Sequence, residues 1–468
     1  VNAVARLRED FARGKRRPLR ILGASGQLGY GIPSPALRAG LDRAPDMIGC
    51  DMGSIDIGPA YLGSGTMAPT HIGARRDLRK VLHAALDAGI PLVIGSAGSA
   101  GAAPHMEATL EMLREIAAAD GLAFRMASIG ADIPRDTVTA AMRAGRVHPL
   151  DGMPDLTEED VENADQLVGQ MGLDAFRRAL ETDPDVLIAG RACDTGIFAT
   201  LPVMLGFPRG LATHMAKIVE CASLCCIPGG RDTILATLDD ESFTLESMAP
   251  QRAATPASVA GHSLYEQSSP YEIIEPDGCV DLRAARYEPL DARRTRVSGA
   301  EWIPAAKTTI KLEGARFLGH RALLLAASAD PRFIARSVDI FDEVAEIVAG
   351  LVCEDSAPDY DLRFRVYGVD GVIKWPEPPA ALPREVFVLG QCIAPTPERA
   401  QEVIRTTKQY LLHHGYDGRL STAGNLAFPL TPPEVSAGAA YRFNVYHLME
   451  TDDTAGLFPV RIEEIREP

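Results

Sequence analysis

Five apolar runs in the first half of the chain each lead into a loop rich in glycine or small polar residues. The runs are Leu19 to Leu22, Asp46 to Cys50, Pro91 to Ile94, Leu122 to Ala127 and Asp185 to Ala189. The loops read GASGQLGYG from Gly23, GCDMGSIDIGPAYLGSG from Gly49, GSAGSAGAAPH from Gly95, SIGAD from Ser128 and GRACDTG from Gly190. Helical patterns lie between them, over Arg76 to Ala88, His105 to Asp120 and Arg135 to Ala144. This alternation predicts an α/β fold with a doubly wound, mostly parallel sheet. Ligands of such sheets bind outside the carboxyl ends of the strands. Glycine lets the backbone approach a ligand closely. The five loops together therefore predict one shared crevice.

The second half has a different rhythm. Residues 229–300 are rich in turns and short apolar runs. From about Trp302 the order is strand, strand, capped helix, and it occurs twice. Thr308 to Leu312 and Ala322 to Ala327 precede a helix from Asp330-Pro331 to about Val352. Glu385 to Ile393 precedes a helix from Thr396-Pro397 to about His414. Both helices begin with a capping residue and proline at the first helical position, where the missing N–H costs nothing. An α+β domain follows, with capped helices on an antiparallel sheet. Tyr441 to Met449 adds a late strand, and Leu420 to Val435 is too rich in proline and glycine for a regular element. The expected organisation is an arm over 1–18, an α/β domain over 19–228, a connecting region over 229–300 and an α+β domain over 301–468. A chain of 468 residues holds two or three domains at about 150 residues each.

Charge and composition exclude several roles. The net charge is −16, which argues against a nucleic-acid partner, since a phosphate backbone demands a basic face. No segment approaches the roughly 18 consecutive apolar residues of a membrane span. The first residues carry basic side chains but no apolar core of a secretory signal. The 8 cysteines show no CxxC pair or His/Cys spacing of a structural zinc site. A reducing cytoplasm is the expected setting.

The candidate chemistry lies in the loops. Gly23, Gly26 and Gly29 have GxxGxxG spacing, and Asp51 ends the next strand. That is a partial dinucleotide match, with Pro33 and Pro35 crowding the helix start against it. A cradle for a carboxylate, phosphate or coenzyme A tail, and a tight structural turn, are the alternatives. Asp51, Ser54 and Asp56 share one loop. Two carboxylates there suit proton transfer or a hard cation, while Asx turns and caps use the same residues. Ser96 and Ser99 precede a helix, whose N-terminus favours anions. His105 in its first turn would be held neutral by the dipole, as a base requires; a solvated histidine is the plain alternative. Arg191 and Asp194 bracket the last loop, with Thr195 beside them. Arginine offers a fork for a carboxylate or phosphate, unless an ion pair within the loop occupies it. His214, Lys217, Cys221 and Cys225 share a helical face near Glu220. Lys217 is a base if buried, or a partner of Glu220. His262, Tyr265 and Glu266 form a later cluster, and Lys311 and Glu313 share one face of a strand.

The segments GCDMGSIDIGPAYLGSG, GSAGSAGAAPH, DVLIAGRACDTGIFA, KIVECAS, SVAGHSLYEQSSPY, TIKLEGARFLGHR and LSTAGNLAFP resemble, in this order, those of the acyclic terpene utilisation family. The likeness runs from about Leu19 to about Pro459. It implies a catabolic enzyme, acyl-CoA intermediates and a small accessory subunit. Joined to the crevice, it leads to proton transfer beside a carbonyl: hydration, dehydration or carbon–carbon cleavage of a branched acid or its coenzyme A thioester. Asp51, Asp56 and His105 are the expected acid–base residues. Gly26, Gly29, Ser54, Ser96, Ser99, Arg191, Asp194, Thr195, Lys217, His262 and Glu313 are the expected substrate contacts. A divalent cation on Asp51 and Asp194 and a homo-oligomer are further expectations. A hydrolase of an amide, lactone or thioester, an NAD(P)-dependent oxidoreductase and a non-catalytic subunit are the rival readings.

Overall fold

A computed structural model describes residues 2–14, 16–53, 55–150, 152–353, 356–377, 381–420 and 425–466. The chain forms two compact units, one of the residues up to Arg316 with those from Phe443 onward, the other of Phe317–Arg442.

The first unit is built on a ten-stranded sheet. Its centre is five parallel strands in the order Leu19–Ser25, Met47–Asp51, Leu92–Gly95, Val186–Ala189 and Phe124–Ile129. These are the five apolar runs expected from the sequence. Four are buried along almost their whole length, as strands covered on both faces must be. The helices His71–Ala88 and Ala103–Asp120 follow the second and third strands. Each ends on a left-handed glycine, Gly89 and Gly121, a conformation that side chains with a Cβ resist.

Residues 229–300, expected to be a connecting region, extend this sheet. Ile234–Leu238 pairs antiparallel with the first parallel strand, and Ser242–Ser247, Arg294–Ser298 and Arg286–Pro289 continue outward. Val460–Ile465 closes the other edge against Phe124–Ile129. The N-terminal arm is the helix Ala3–Ala12, whose Ala3, Val4 and Leu7 are buried.

The helix Asp194–Met204 lies directly on the parallel strands, and the sequence makes room for it. A Cβ on Gly49 would come within 2.2 Å of the Phe198 ring, and one on Gly95 within 2.4 Å of Ile197. Those glycines are therefore packing residues, and they let the start of this helix approach the carboxyl ends of the strands. The helix Arg209–Val219 follows it and is buried from Gly210 to its end.

The second unit is a smaller α+β layer. Its sheet runs in the order Asp361–Tyr367, Val386–Ala394, Thr308–Ser328, Glu434–Thr451. The two long strands, Thr308–Ser328 and Glu434–Thr451, contribute residues to both units. Helices Ser337–Val352 and Pro397–His413 bury one face against Ala322, Leu324, Ala326, Val388 and Cys392. The caps form as expected: Asp330 accepts from the Arg332 N–H and Thr396 from the Arg399 N–H. The first helix differs in being two pieces, Pro331–Ala335 and Ser337–Val352. Among the described residues, no helix is long and apolar enough to cross a membrane.

Candidate active site

A cavity of about 160 Å³ opens at the carboxyl edge of the parallel strands in the first unit. Three of the five glycine-rich loops reach it. Gly26 and Gln27 come from the first, Asp51, Gly53 and Asp56 from the second, and Asp194 from the last. Glu220, Cys221 and Leu224 enter from the end of the buried helix Arg209–Val219, and Tyr265 and Glu266 from the turn after the helix Pro256–Ser263. Arg231 completes the lining. Asp51 and Glu220 are buried, while Asp56, Arg231, Tyr265 and Glu266 are exposed at the rim.

The carboxylates dominate the electrostatics. Asp51 ends its strand only 4% exposed. Its Oδ2 accepts from the Gly53 N–H at 3.2 Å, and its Oδ1 has no partner among the described residues. Burial raises the Asp51 pKa well above the usual carboxylate range, and Asp194 and Glu220 add to the rise. Asp194 is the first residue of its helix, where the dipole favours a negative charge. Burial still raises its pKa against the pull of Lys217 and Arg191. Burial, then repulsion from Asp194, pushes Glu220 up to about 7. Lys217 is the buried counter-charge, with Nζ donating to Glu220 Oε1 at 3.0 Å and to Glu266 Oε2 at 3.3 Å. Burial opposes its ammonium, and Glu220, Asp194 and Glu266 overcome that, so its pKa is raised. Lys217 is therefore a charged partner of Glu220, the second of the two roles expected for it, and not a neutral base. Glu266 sits at φ +59°, a strained backbone for a residue with a Cβ, of the kind that gathers at functional sites.

A second buried group flanks this one. Arg191 donates to both oxygens of Glu313, at 2.7 and 3.2 Å, and Lys311 Nζ reaches Glu313 at 2.9 Å. Its fork is thus filled by the protein, which corrects the expected role of Arg191 as a substrate clamp. Glu313 is correspondingly a structural partner, with its pKa held down by Arg191 and Lys311 against the cost of burial. Ser96 lies behind, with its Oγ 3.5 Å from an Arg191 nitrogen.

A family model described as "Acyclic terpene utilisation family protein AtuA" matches residues 20–228 and 243–429. The chain belongs to this family. No curated protein and no solved structure matches the chain. Membership supports a role in acyclic terpene utilisation as a catabolic enzyme. All the cavity residues named above except Arg231 lie inside the two matched segments.

Several other expected contacts have structural work away from the cavity. His105 is fully buried, and its Nε2 lies 3.0 Å from the Tyr61 carbonyl and 3.1 Å from that of Thr66. It ties down the second glycine-rich loop and does not line the cavity. Burial lowers its pKa. Ser99 is buried at φ +89°, and its N–H donates to the Ser96 carbonyl. Gly29 packs on Pro69 and donates to Asp77. Gly26 does line the cavity, and a Cβ there would lie 2.5 Å from the Glu220 carbonyl oxygen. The spacing that resembled a dinucleotide loop is thus needed for contact with Glu220 and Pro69. Thr195 Oγ1 donates to Glu275 at 2.8 Å. His262 stacks on Tyr265 with rings 5.3 Å apart, and burial pushes its pKa down to about 4. Ser54 lies outside the described residues.

Glu220, Glu266 and Tyr265 were legible only as neighbours of Lys217 and His262, since nothing in their spacing points at Asp51. Glu275 carried no signal at all.

Proposed function

We propose that the protein moves a proton beside the carbonyl of a branched acyl coenzyme A thioester, in a hydration, dehydration or carbon–carbon cleavage step of terpene catabolism. One observation carries this reading: the buried Asp51 carboxylate ends a parallel strand and lines the cavity, and its Oδ1 has no partner among the described residues. In this reading Asp51 takes or returns the proton, as a positioned carboxylate does in general acid–base catalysis. The Lys217 ammonium, held by Glu220 and Glu266, is in this reading the cation on which a developing enolate oxygen would draw. Asp56 at the rim is the second proton carrier.

The cavity also favours one form of the substrate. Its lining holds Asp51, Asp56, Asp194, Glu220 and Glu266, so a free carboxylate would meet like charge. A thioester binds with a neutral carbonyl and so avoids that repulsion in the ground state.

The test is solvent exchange in D₂O with branched saturated and 2,3-unsaturated acyl-CoA thioesters. Deuterium should enter the carbon next to the thioester carbonyl. Asp51→Asn should slow this by about 10²–10⁴-fold with unchanged circular dichroism. Release of free coenzyme A with ¹⁸O from labelled water in the acid, and no deuterium in the chain, would instead establish a hydrolase.

A further inference from the structure

Two overlapping sets of side chains at the cavity have the geometry to hold a metal ion. Carboxylate oxygens of Asp194, Glu220 and Glu266 all lie within 4.8 Å of one another, and so do ligand atoms of Glu220, Cys221 and His262. Glu220 belongs to both. Only 3% exposed, it is the fixed point of either arrangement.

We propose that the cavity holds one hard divalent cation, Mg²⁺ or Mn²⁺, on carboxylate oxygens of Asp194, Glu220 and Glu266. The acidic cluster does not stand alone. Asp51 Oδ1 is a buried oxygen without a partner among the described residues, and Asp51 lines the same cavity. A buried acceptor of this kind costs free energy until a donor or cation meets it. The charge balance points the same way. Four carboxylates, those of Asp51, Asp194, Glu220 and Glu266, face the single ammonium of Lys217. The Arg191–Glu313–Lys311 group adds one net positive charge. Arg231 and Asp56 at the rim cancel each other. With every one of these groups counted as ionised, two negative charges are left over, which a divalent ion would neutralise.

The oxygen set is preferred over the set with Cys221 and His262 on chemical grounds. Cys221 Sγ donates to Glu220 Oε2 at 3.0 Å, so it acts as a thiol beside a carboxylate and not as a thiolate. Carboxylates select hard ions, and the ion's remaining positions are filled by water or by substrate oxygens. Lys217 does not exclude the ion, because each carboxylate offers about four lone-pair sites.

The inference concerns the same cavity as the proposed reaction but is read on the resting protein. An ion that binds without proton exchange would leave it standing and overturn the reaction. The experiment is titration of the chelator-treated full-length protein with Mn²⁺, followed by the loss of the free-ion electron paramagnetic resonance signal. One Mn²⁺ per chain should bind, Mg²⁺ should compete, and the Tm should rise with either ion. Glu266→Gln and Asp194→Asn should each weaken binding by at least about tenfold, and Cys221→Ser should leave it unchanged. Absence of a saturable site tighter than about 1 mM, the weak end of oxygen sites, would overturn the proposal. So would unchanged affinity in both carboxamide variants, or loss of binding in Cys221→Ser together with a preference for Zn²⁺. The wild-type titration decides the matter if a variant fails to fold.

Discussion

Glu275 offers a direct test of how the buried charges of this protein set its stability. It ends the strand Glu272–Glu275 and is only 7% exposed. Oε1 accepts from Thr195 Oγ1 at 2.8 Å, and Oε2 has no partner among the described residues. Burial is the largest influence and raises its pKa from 4.5 to about 7; Thr195 opposes this, and Asp277 and Asp194 add to it. The folded state therefore holds this proton more tightly than the unfolded chain. The associated stability is present in full below about pH 4.5, falls as the pH rises toward 7, and is flat above that. The shift corresponds to about 3 kcal/mol in total, of which roughly 2–3 kcal/mol is lost between pH 5 and pH 8. Glu275→Gln keeps an oxygen for Thr195 and removes the titration. Its Tm relative to the wild type should rise by about 3–4 °C between pH 5 and pH 8, given the unfolding entropy of a unit of this size. Comparing variant with wild type at each pH cancels the other buried carboxylates to first order. Thermal unfolding followed by circular dichroism at several pH values gives both curves. Parallel curves would refute the reasoning and place Glu275 in contact with solvent or a cation.

Two further outcomes follow from the site. Arg191→Met should strand Glu313 as a buried carboxylate beside Lys311 alone, and should cost about 3–5 kcal/mol in urea unfolding; a loss below about 1 kcal/mol would mean the pair is solvated. His105→Ala should lower stability by about 1–3 kcal/mol, because it empties a buried site and removes the ring that ties down the Tyr61 and Thr66 carbonyls. Turnover per folded molecule should keep its pH profile in that variant, whereas loss of one limb of the profile would restore His105 as a proton carrier.

The sequence by itself determined the layers. Runs such as Leu19 to Leu22 and Asp185 to Ala189 are too short and too apolar for anything but buried strands, and amphipathic helices separate them. A repeating local pattern of this kind needs no knowledge of distant residues. The caps at Asp330 and Thr396 were readable for the same reason, since a cap satisfies backbone groups within its own turn. Asp51, Asp56, Asp194 and Gly26 were readable as cavity residues because the carboxyl ends of parallel strands lie along one edge.

Only the tertiary structure decided what each charged side chain does. Arg191 and Glu313 stand far apart in the sequence, yet each is the other's counter-ion. His105 turned to backbone carbonyls of the Tyr61–Thr66 segment, and Lys217 drew Glu266 from a separate helix–turn into the site. Ion pairing and desolvation depend on distances across the fold, and spacing along a chain does not encode those distances. The same holds for the glycines: Gly26 meets Glu220 and Gly49 meets Phe198, contacts that exist only once the helices have packed on the sheet.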